Sequence, residues 1–337
     1  MTRTIPNSLL AGLTAGVLTA TLGTPGIATA ATRPRSATLC TIRPLPMPAD
    51  VTHGEARAID PTGRFVAGRG LRITGDVREE LLLLWDGPRV TVAPSDPARE
   101  LAAVNRYGVV VGSAFVDGTH RPWRYQNGRL EWLPVPATVS GSWPNGINAR
   151  GDIVGHGSVE ETETALPLRW PADRPGTVEV VDAPANSAAQ EIFDDGTIVG
   201  TAGPSGGATT PTAWVRRPDG RIDRLTAPGT TGTWIRAAQG DWAVGGAGPE
   251  GAQVLMRWNL RDGSTVPVHP GLPSVQDVNA WGTVLGDRTV DRGDRLVPLP
   301  GAVPGAVIIL AWAIADNGTI VGSTNGTGLR PVRWNGC

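Results

Sequence analysis

A short motif recurs along the chain, and this repetition constrains the fold more than any other feature. The stretch "FDDGTIVGT" at 193–201 returns almost unchanged as "ADNGTIVGS" at 315–323. Aligning the chain on the first Gly of this motif gives seven copies, at Gly63, Gly108, Gly151, Gly196, Gly240, Gly282 and Gly318. The copies are spaced by 45, 43, 45, 44, 42 and 36 residues. A period near 43 is typical of a propeller or another repeat architecture.

Each copy has the same order of strands and turns. A short strand runs into the turn that contains the Gly, and a second strand ends near a Val-Gly pair. After a variable loop comes an aromatic residue, then a second turn and a strand that ends near Leu-Pro. The aromatic residues are Trp85, Tyr125, Trp170, Trp214, Trp258 and Trp334. Four strands in about 43 residues make one propeller blade, so the sequence predicts an all-β, seven-bladed β-propeller of ~43-residue four-stranded repeats.

The turn Gly and the polar residue three positions before it explain why the motif recurs. Gly takes the positive φ that tight hairpin turns require. An Asp or Asn at the earlier position can accept a hydrogen bond from the turn backbone; these residues are Asp60, Asn105, Asn148 and Asn279. Asp-rich loops can instead bind calcium, but the alternating ligands and terminal bidentate acid of such loops are missing.

The repeat resembles the bacterial extracellular HAF-type repeat, most clearly in "GINARGDIVG" (146–155) and "AIADNGTIVG" (313–322). The resemblance covers nearly all of the chain after its first thirty residues. It implies a propeller fold and an extracellular protein, and it brings no catalytic residues.

The two ends of the chain predict how the ring closes. The seventh copy stops at "VRWNGC" (332–337), before its last strand, and "CTIRPLP" (40–46) has the pattern of the missing piece. We therefore expect the N-terminal strand to complete the last blade. That register places Cys40 beside Cys337, which predicts a disulfide; the alternative is two free thiols. The sixth copy is the shortest and has Leu296 or Val297 in place of the aromatic residue, so we expect a thinner blade there.

The first thirty residues predict secretion. Arg3 precedes an apolar run at 9–22, and Ala28-Thr29-Ala30 has the form of a signal-peptidase site. We expect a signal peptide at 1–30, a short disordered N-terminus at 31–39, one propeller domain at 40–337, no membrane span, and a monomer. Without Arg3 the chain has 29 basic and 31 acidic residues, a net charge of −2, which argues against nucleic acid as a partner. The chain contains no Lys, which excludes Schiff-base chemistry.

Three tryptophans mark the candidate site. Trp143, Trp234 and Trp312 precede the first strands of copies three, five and seven, so we expect them near the axis on the face that carries the variable loops. Exposed Trp beside polar groups is one way in which proteins bind sugars, and the polar candidates are Asn145, Arg236 and Asp316. The alternative is that these Trp pack against neighbouring strands. Trp281 and Tyr107 are expected on the opposite face.

No catalytic motif, metal-binding pattern or cofactor-binding pattern is present in the sequence, and the four His occupy unrelated repeat positions. The sequence favours a secreted binding module for a glycan or a surface protein, without metal or cofactor. A secreted hydrolase or lyase with a central site and a non-catalytic structural or matrix protein remain as alternatives. The enzyme would bring His and acidic side chains together, whereas the structural protein would bury every Trp.

Overall fold

Seven four-stranded antiparallel sheets form a ring in the computed structural model. The structure describes residues 40–95, 99–203, 210–249, 252–301, 309–326 and 328–337. The predicted signal peptide at 1–30 and the tail at 31–39 lie outside these residues. A tight turn joins the first two strands of each blade, and the turn Gly has positive φ in all seven copies, at Gly63 and its six counterparts.

The first three blades follow one another along the chain. Blade one contains β2 (Val51–Ile59), β3 (Phe65–Thr74), β4 (Val77–Asp86) and β5 (Arg89–Ser95). Blade two contains β6 (Arg99–Val104), β7 (Val110–Val116), β8 (Thr119–Gln126) and β9 (Arg129–Trp132). Blade three contains β10 (Gly141–Ile147), β11 (Ile153–Val159), β12 (Thr164–Trp170) and β13 (Glu179–Val180), with a 3-10 turn at Glu160–Thr162.

The remaining blades continue the order, and the last one borrows the first strand of the chain. Blade four contains β14 (Ser187–Ile192), β15 (Ile198–Ala202), β16 (Thr212–Arg216) and β17 (Ile222–Arg224). Blade five contains β18 (Thr233–Gln239), β19 (Trp242–Ala247), β20 (Val254–Asn259) and β21 (Thr265–Pro267). Blade six contains β22 (Asp277–Val278), β23 (Val284–Leu285), β24 (Thr289–Asp291) and β25 (Leu296–Pro298). Blade seven contains β26 (Ile309–Ile314), β27 (Ile320–Gly326), β28 (Gly328–Asn335) and β1 (Thr41–Pro44).

The ring closes as the two chain ends predict. Strand β1 pairs antiparallel with β28, from Thr41 opposite Asn335 to Pro44 opposite Val332. Cys40 and Cys337 form a disulfide across 297 residues of chain. Strand β1 is thus the fourth strand of blade seven and pairs with the edge of β28 that would otherwise be exposed. The predicted strand exchange and the disulfide are both confirmed.

The recurring Trp lies between blades and joins them. The indoles of Trp85, Trp170, Trp258 and Trp334 are buried on the third strands of their blades. Each donates its Nε1–H to the carbonyl that follows the fourth strand of the preceding blade; the acceptors are Pro46 at 2.6 Å, and Pro134, Thr226 and Pro300 at 2.8 Å. Trp214 on the third strand of blade four is also buried, but its Nε1 has no hydrogen-bond partner among the described residues. The aromatic position of the repeat therefore belongs to the core between blades.

Blade six is thinner than the others, as predicted, but the residue at its aromatic register was misassigned. Its four strands are only two or three residues long. The position that pairs as Trp170 does belongs to Asp291 on β24, whereas Leu296 and Val297 lie on the fourth strand. Asp291 is buried and accepts a hydrogen bond from His269 N at 2.9 Å, in the preceding blade. A hydrogen bond therefore still links blades five and six, but here the backbone N–H of the preceding blade donates and the side chain of blade six accepts.

The polar residue three positions before the turn Gly acts as predicted in the copies that have one. Asn105 Oδ1 accepts hydrogen bonds from the backbone of Tyr107 and Val109, at 3.0 and 3.1 Å. Its Nδ2 donates to the carbonyl of Asn148 in the next blade at 3.0 Å. Asn148 repeats the contact with Phe193 O at 3.2 Å. These buried side chains cap one turn and also join two blades.

The chain path gives the ring two different faces. Every blade is an antiparallel meander. The turn between its first and second strands and the turn between its third and fourth strands therefore lie on one face, which we call the turn face. The connections between second and third strands, and those between blades, lie on the other, which we call the loop face. No helix in the described ranges is long and apolar enough to cross a membrane.

Candidate functional site

A β-bulge in the innermost strand places the residues that face the axis. In six blades the pairing of the first and second strands shifts by one residue opposite the Gly that ends the Val-Gly pair. Bulges of this kind re-aim side chains. A Cβ on Gly322 would lie 1.9 Å from the carbonyl oxygen of Leu310, and a Cβ on Gly155 would lie 2.0 Å from that of Trp143. The second Gly of the motif is thus required by close backbone approach.

The extra residue of each bulge lines a cavity along the axis of the ring. These residues are Arg57, Ala102, Asn145, Gln190, Arg236 and Trp312, and Gln276 holds the matching place in blade six. The cavity has a volume of about 740 Å³. Trp143 and Trp234, two positions before the bulge in blades three and five, also line it. The innermost strands therefore supply one wall position per blade to a single site.

Five of the six predicted site residues meet in this axial cavity. Trp143, Trp234, Trp312 and Asn145 are half-buried there, and Arg236 is exposed at its wall. The sixth, Asp316, lies elsewhere. It follows the first strand of blade seven and belongs to the turn face, where its Oδ1 accepts a hydrogen bond from Ala280 N at 2.8 Å. Asp316 follows Trp312 closely in sequence, but the strand carries it to the other end of the channel.

Trp143 is held between two imidazoles. The ring of His156 stacks on it with centroids 5.2 Å apart and planes 14° apart, and His120 lies 4.8 Å away at 37°. Asn145 Nδ2 lies 3.3 Å from His156 Nδ1. Burial lowers the pKa of His156, which favours the neutral ring. For Trp143 the packing alternative therefore holds in part, since its faces already have neighbours.

Trp234 and Trp312 are better placed for a ligand. The Trp234 indole lies over Gly246, where a Cβ would come within 2.5 Å of Nε1. Arg57 holds its guanidinium 4.0 Å from the centroid of the Trp312 ring and pairs with Glu55 at 2.6 Å. Neither Trp234 Nε1 nor Trp312 Nε1 has a hydrogen-bond partner among the described residues. Both Nε1 atoms are buried, so a ligand in the cavity would contact the rings of these indoles and not their N–H groups.

Three acidic residues line the axial cavity, and none of them was predicted from the sequence: Glu100, Glu191 and Asp277. Glu191 and Asp277 directly follow the bulge position, where the other five blades have only small residues: Ala58, Ala103, Gly146, Ala237 and Ala313. Burial raises the pKa of Glu191 to about 8 and that of Asp277 to about 7. The signal was available, because in six of the seven copies this position lies five residues before the turn Gly.

A second cavity of about 720 Å³ opens on the turn face. It shares four lining residues with the axial cavity: Pro61, Ile147, Glu191 and Gln239. Trp281, 77% exposed, lies at its rim and donates Nε1–H to Asp316 O at 2.9 Å. Glu191 therefore stands where the two cavities meet. As expected, Trp281 and Tyr107 are exposed on this face.

The described residues contain no group of three or more His, Cys, Asp or Glu side chains that could hold a metal ion. The axial cavity offers aromatic stacking, hydrogen bonding by amide, guanidinium and imidazole groups, and proton exchange at Glu191 and Asp277.

Comparison with known proteins supports the fold and nothing finer. The sequence matches no protein-family model and no curated protein sequence. The propeller is similar to the β-propeller domain of the Trilobed protease from Pyrococcus furiosus, at 10% identity and TM-score 0.56, covering 85% of this chain and 96% of that one. It is also similar to an oligogalacturonate lyase in complex with manganese, at 13% identity and TM-score 0.58, covering 89% and 94%.

An acylaminoacyl peptidase from Pyrococcus horikoshii shares 9% identity at TM-score 0.56, over 84% of this chain and 51% of that one. The match therefore spans about half of the peptidase. Peptidases and a lyase both carry this architecture, so the ring itself does not decide between binding and catalysis.

Proposed function

We propose that this protein is a secreted, extracellular binding module of the HAF-repeat type that takes a glycan into its axial cavity. One observation carries the proposal: a single cavity collects Trp143, Trp234 and Trp312 together with the polar side chains of Asn145 and Arg236. Indole faces stack on the apolar faces of sugar rings, while amides and guanidinium groups bond to hydroxyls.

The size of the cavity favours a short glycan over a protein partner. A volume of about 740 Å³ lies within the range of small-molecule sites and suits a ligand that inserts along the axis. A surface protein would need a broad interface, and the three Trp are recessed in the channel instead of standing on a flat face. The disulfide and the signal-peptide pattern of residues 1–30 agree with an oxidising, extracellular location.

Glycan binding can be tested with the mature chain on a glycan array and on isolated cell walls. We expect saturable binding that falls at least about tenfold in Trp312→Ala and Trp234→Ala, since each loses a stacking partner. Trp281→Ala is the matched control, because this Trp is exposed on the turn face, and it should bind as the native protein does. If Trp281→Ala abolishes binding and the two cavity variants do not, the site lies on the turn face and the proposal is wrong.

A hydrolase or lyase is the second candidate, favoured by the meeting of Glu191 and Asp277 in the same cavity. Carboxyls with pKa values raised toward neutrality are suited to general acid–base work. Incubation of a bound glycan with the native protein should then yield shorter products, and Glu191→Gln should yield none. Recovery of the intact glycan after prolonged incubation excludes this candidate for that glycan. A structural or matrix role would follow if neither binding nor turnover is found.

A further inference from the structure

We propose that the glycan held in the axial cavity carries a free amino group, whose ammonium lies against Glu191 and Asp277; this inference rests on the proposed glycan site. The ligand class is therefore an amino sugar with an unacylated amine. Three features of the channel lead to it.

The first feature is the placement of the two carboxyls. Glu191 and Asp277 occupy the same register in blades four and six, and blade five between them has Ala237 there. The Glu191 carboxyl lies over Gly146 of blade three, where a Cβ would come within 2.4 Å of Oε1. The charge of Asp277 contributes to the raised pKa of Glu191. Both side chains line the same axial cavity.

The second feature is the lack of a counter-ion. Among the described residues neither acid forms an ion pair within 4.0 Å, and their hydrogen bonds come from backbone amides: Ile192 N to Glu191 at 3.1 Å, and Ile314 N and Val278 N to Asp277 at 2.8 Å. Arg236 acts on Asp277 at longer range, but its guanidinium donates to Gln276 Oε1 at 3.0 Å. A buried carboxylate is usually paired with a cation, and without one it takes up a proton more readily, as the raised pKa values of Glu191 and Asp277 indicate. A ligand ammonium would supply that cation.

The third feature is the aromatic wall. Trp312 already holds a cation, the guanidinium of Arg57, 4.0 Å from its ring centroid. Trp faces attract organic cations, and the same ring can stack on the carbon skeleton that carries the charge. A bare metal ion fits less well, because the described residues group fewer than three suitable ligands. An ammonium on a sugar ring uses both the Trp wall and the two acids.

The test compares glucosamine oligomers with N-acetylglucosamine oligomers of equal length by isothermal titration calorimetry. We expect the native protein to bind the free-amine oligomer about tenfold more tightly, as one charge-assisted hydrogen bond would give. Glu191→Gln and Asp277→Asn should remove this preference while still binding the acetylated oligomer. Glu100→Gln is the matched control, since Glu100 also lines the cavity but already accepts from Ser113 Oγ at 3.4 Å; it should keep the preference.

The outcomes separate the two proposals. Equal binding of both oligomers by the native protein overturns the amino-sugar inference and leaves the glycan site standing. Failure to bind either oligomer or any other glycan overturns the glycan site itself. Binding of trilysine that depends on Glu191, without glycan binding, would overturn both and assign the cavity to basic peptides. The two acid variants are isosteric with the native residues, so circular dichroism should show native spectra.

Discussion

Removing the disulfide between Cys40 and Cys337 tests how the ring is held closed. We consider the double variant Cys40→Ala/Cys337→Ala. Strand β1 keeps its four residue pairs with β28 in this variant, and Trp85 keeps its hydrogen bond to Pro46 O. The folded ring should therefore persist, and the main change should be the greater freedom of the unfolded chain.

The size of the effect follows from the length of chain between the two cysteines. For a separation of 297 residues the chain-entropy relation gives about 5.7 kcal/mol at 25 °C as an upper limit. Unfolding entropy near 2.1 cal/mol/K per residue over about 300 residues is roughly 0.6 kcal/mol/K. The melting temperature should then fall by up to about 9 °C.

The assay is thermal unfolding followed by far-UV circular dichroism, with the native protein under reducing conditions as the control. The reduced native protein and the double variant should melt together, several degrees below the oxidised protein. A fall of less than about 2 °C would refute the chain-entropy reasoning, because the longest possible loop would then contribute almost nothing. A fall far beyond the upper limit would show instead that β1 detaches without the disulfide.

Two further substitutions test the interior of the blades. Burial alone would raise the pKa of Asp152, but hydrogen bonds from Asn148, Ala172 N, Arg169 and Arg150 lower it to about 2. The folded-state pKa is depressed, so this stabilisation is present above about pH 4 and is lost as pH falls toward 2. Asp152→Asn should cost about 2 kcal/mol in urea unfolding at pH 7 and much less near pH 2.5; an equal loss at both pH values contradicts this. Gly322→Ala should cost about 3 kcal/mol or more, because its Cβ would meet Leu310 O at 1.9 Å. Gly75→Ala, with positive φ but open space around it, should cost only about 1 kcal/mol; similar losses in the two Gly variants would mean that the bulge can relax.

The fold could be predicted from the sequence because its determinants are local and repeated. Gly63 and its counterparts fix a turn within a few residues, and Asn105 and Asn148 cap their own turns before they reach the next blade. Ring closure was also accessible, since a blade that lacks its fourth strand leaves only the N-terminal segment to supply it. Blade six was misaligned because Asp291 occupies the position that a Trp holds in other blades. Asp291 accepts a hydrogen bond where the Trp donates one, and no aromatic residue marks the register.

The site was predicted only in part, and the bulge is the physical reason. Strict alternation along a strand assigns each side chain to one face, but an inserted residue shifts every later position. Asn145, Arg236 and Trp312 were chosen for their proximity to Trp in sequence or for their type, and the bulge turns them to the axis. Glu191 was overlooked because it follows the bulge, where alternation no longer applies.

The bulge also separates the residues that the fold requires from the residues that face the axial cavity. The Gly opposite it recurs in the second strand of every blade, whereas the inserted residue changes from Arg57 to Ala102 to Asn145 and onward around the ring. An inserted residue has no partner in the ladder, so its exchange leaves the strand pairing intact. If the cavity binds a ligand as proposed, substitutions at these seven positions would change its specificity while the strand pairing is kept. Libraries randomised at these seven positions offer a direct route to new specificities on an unchanged scaffold.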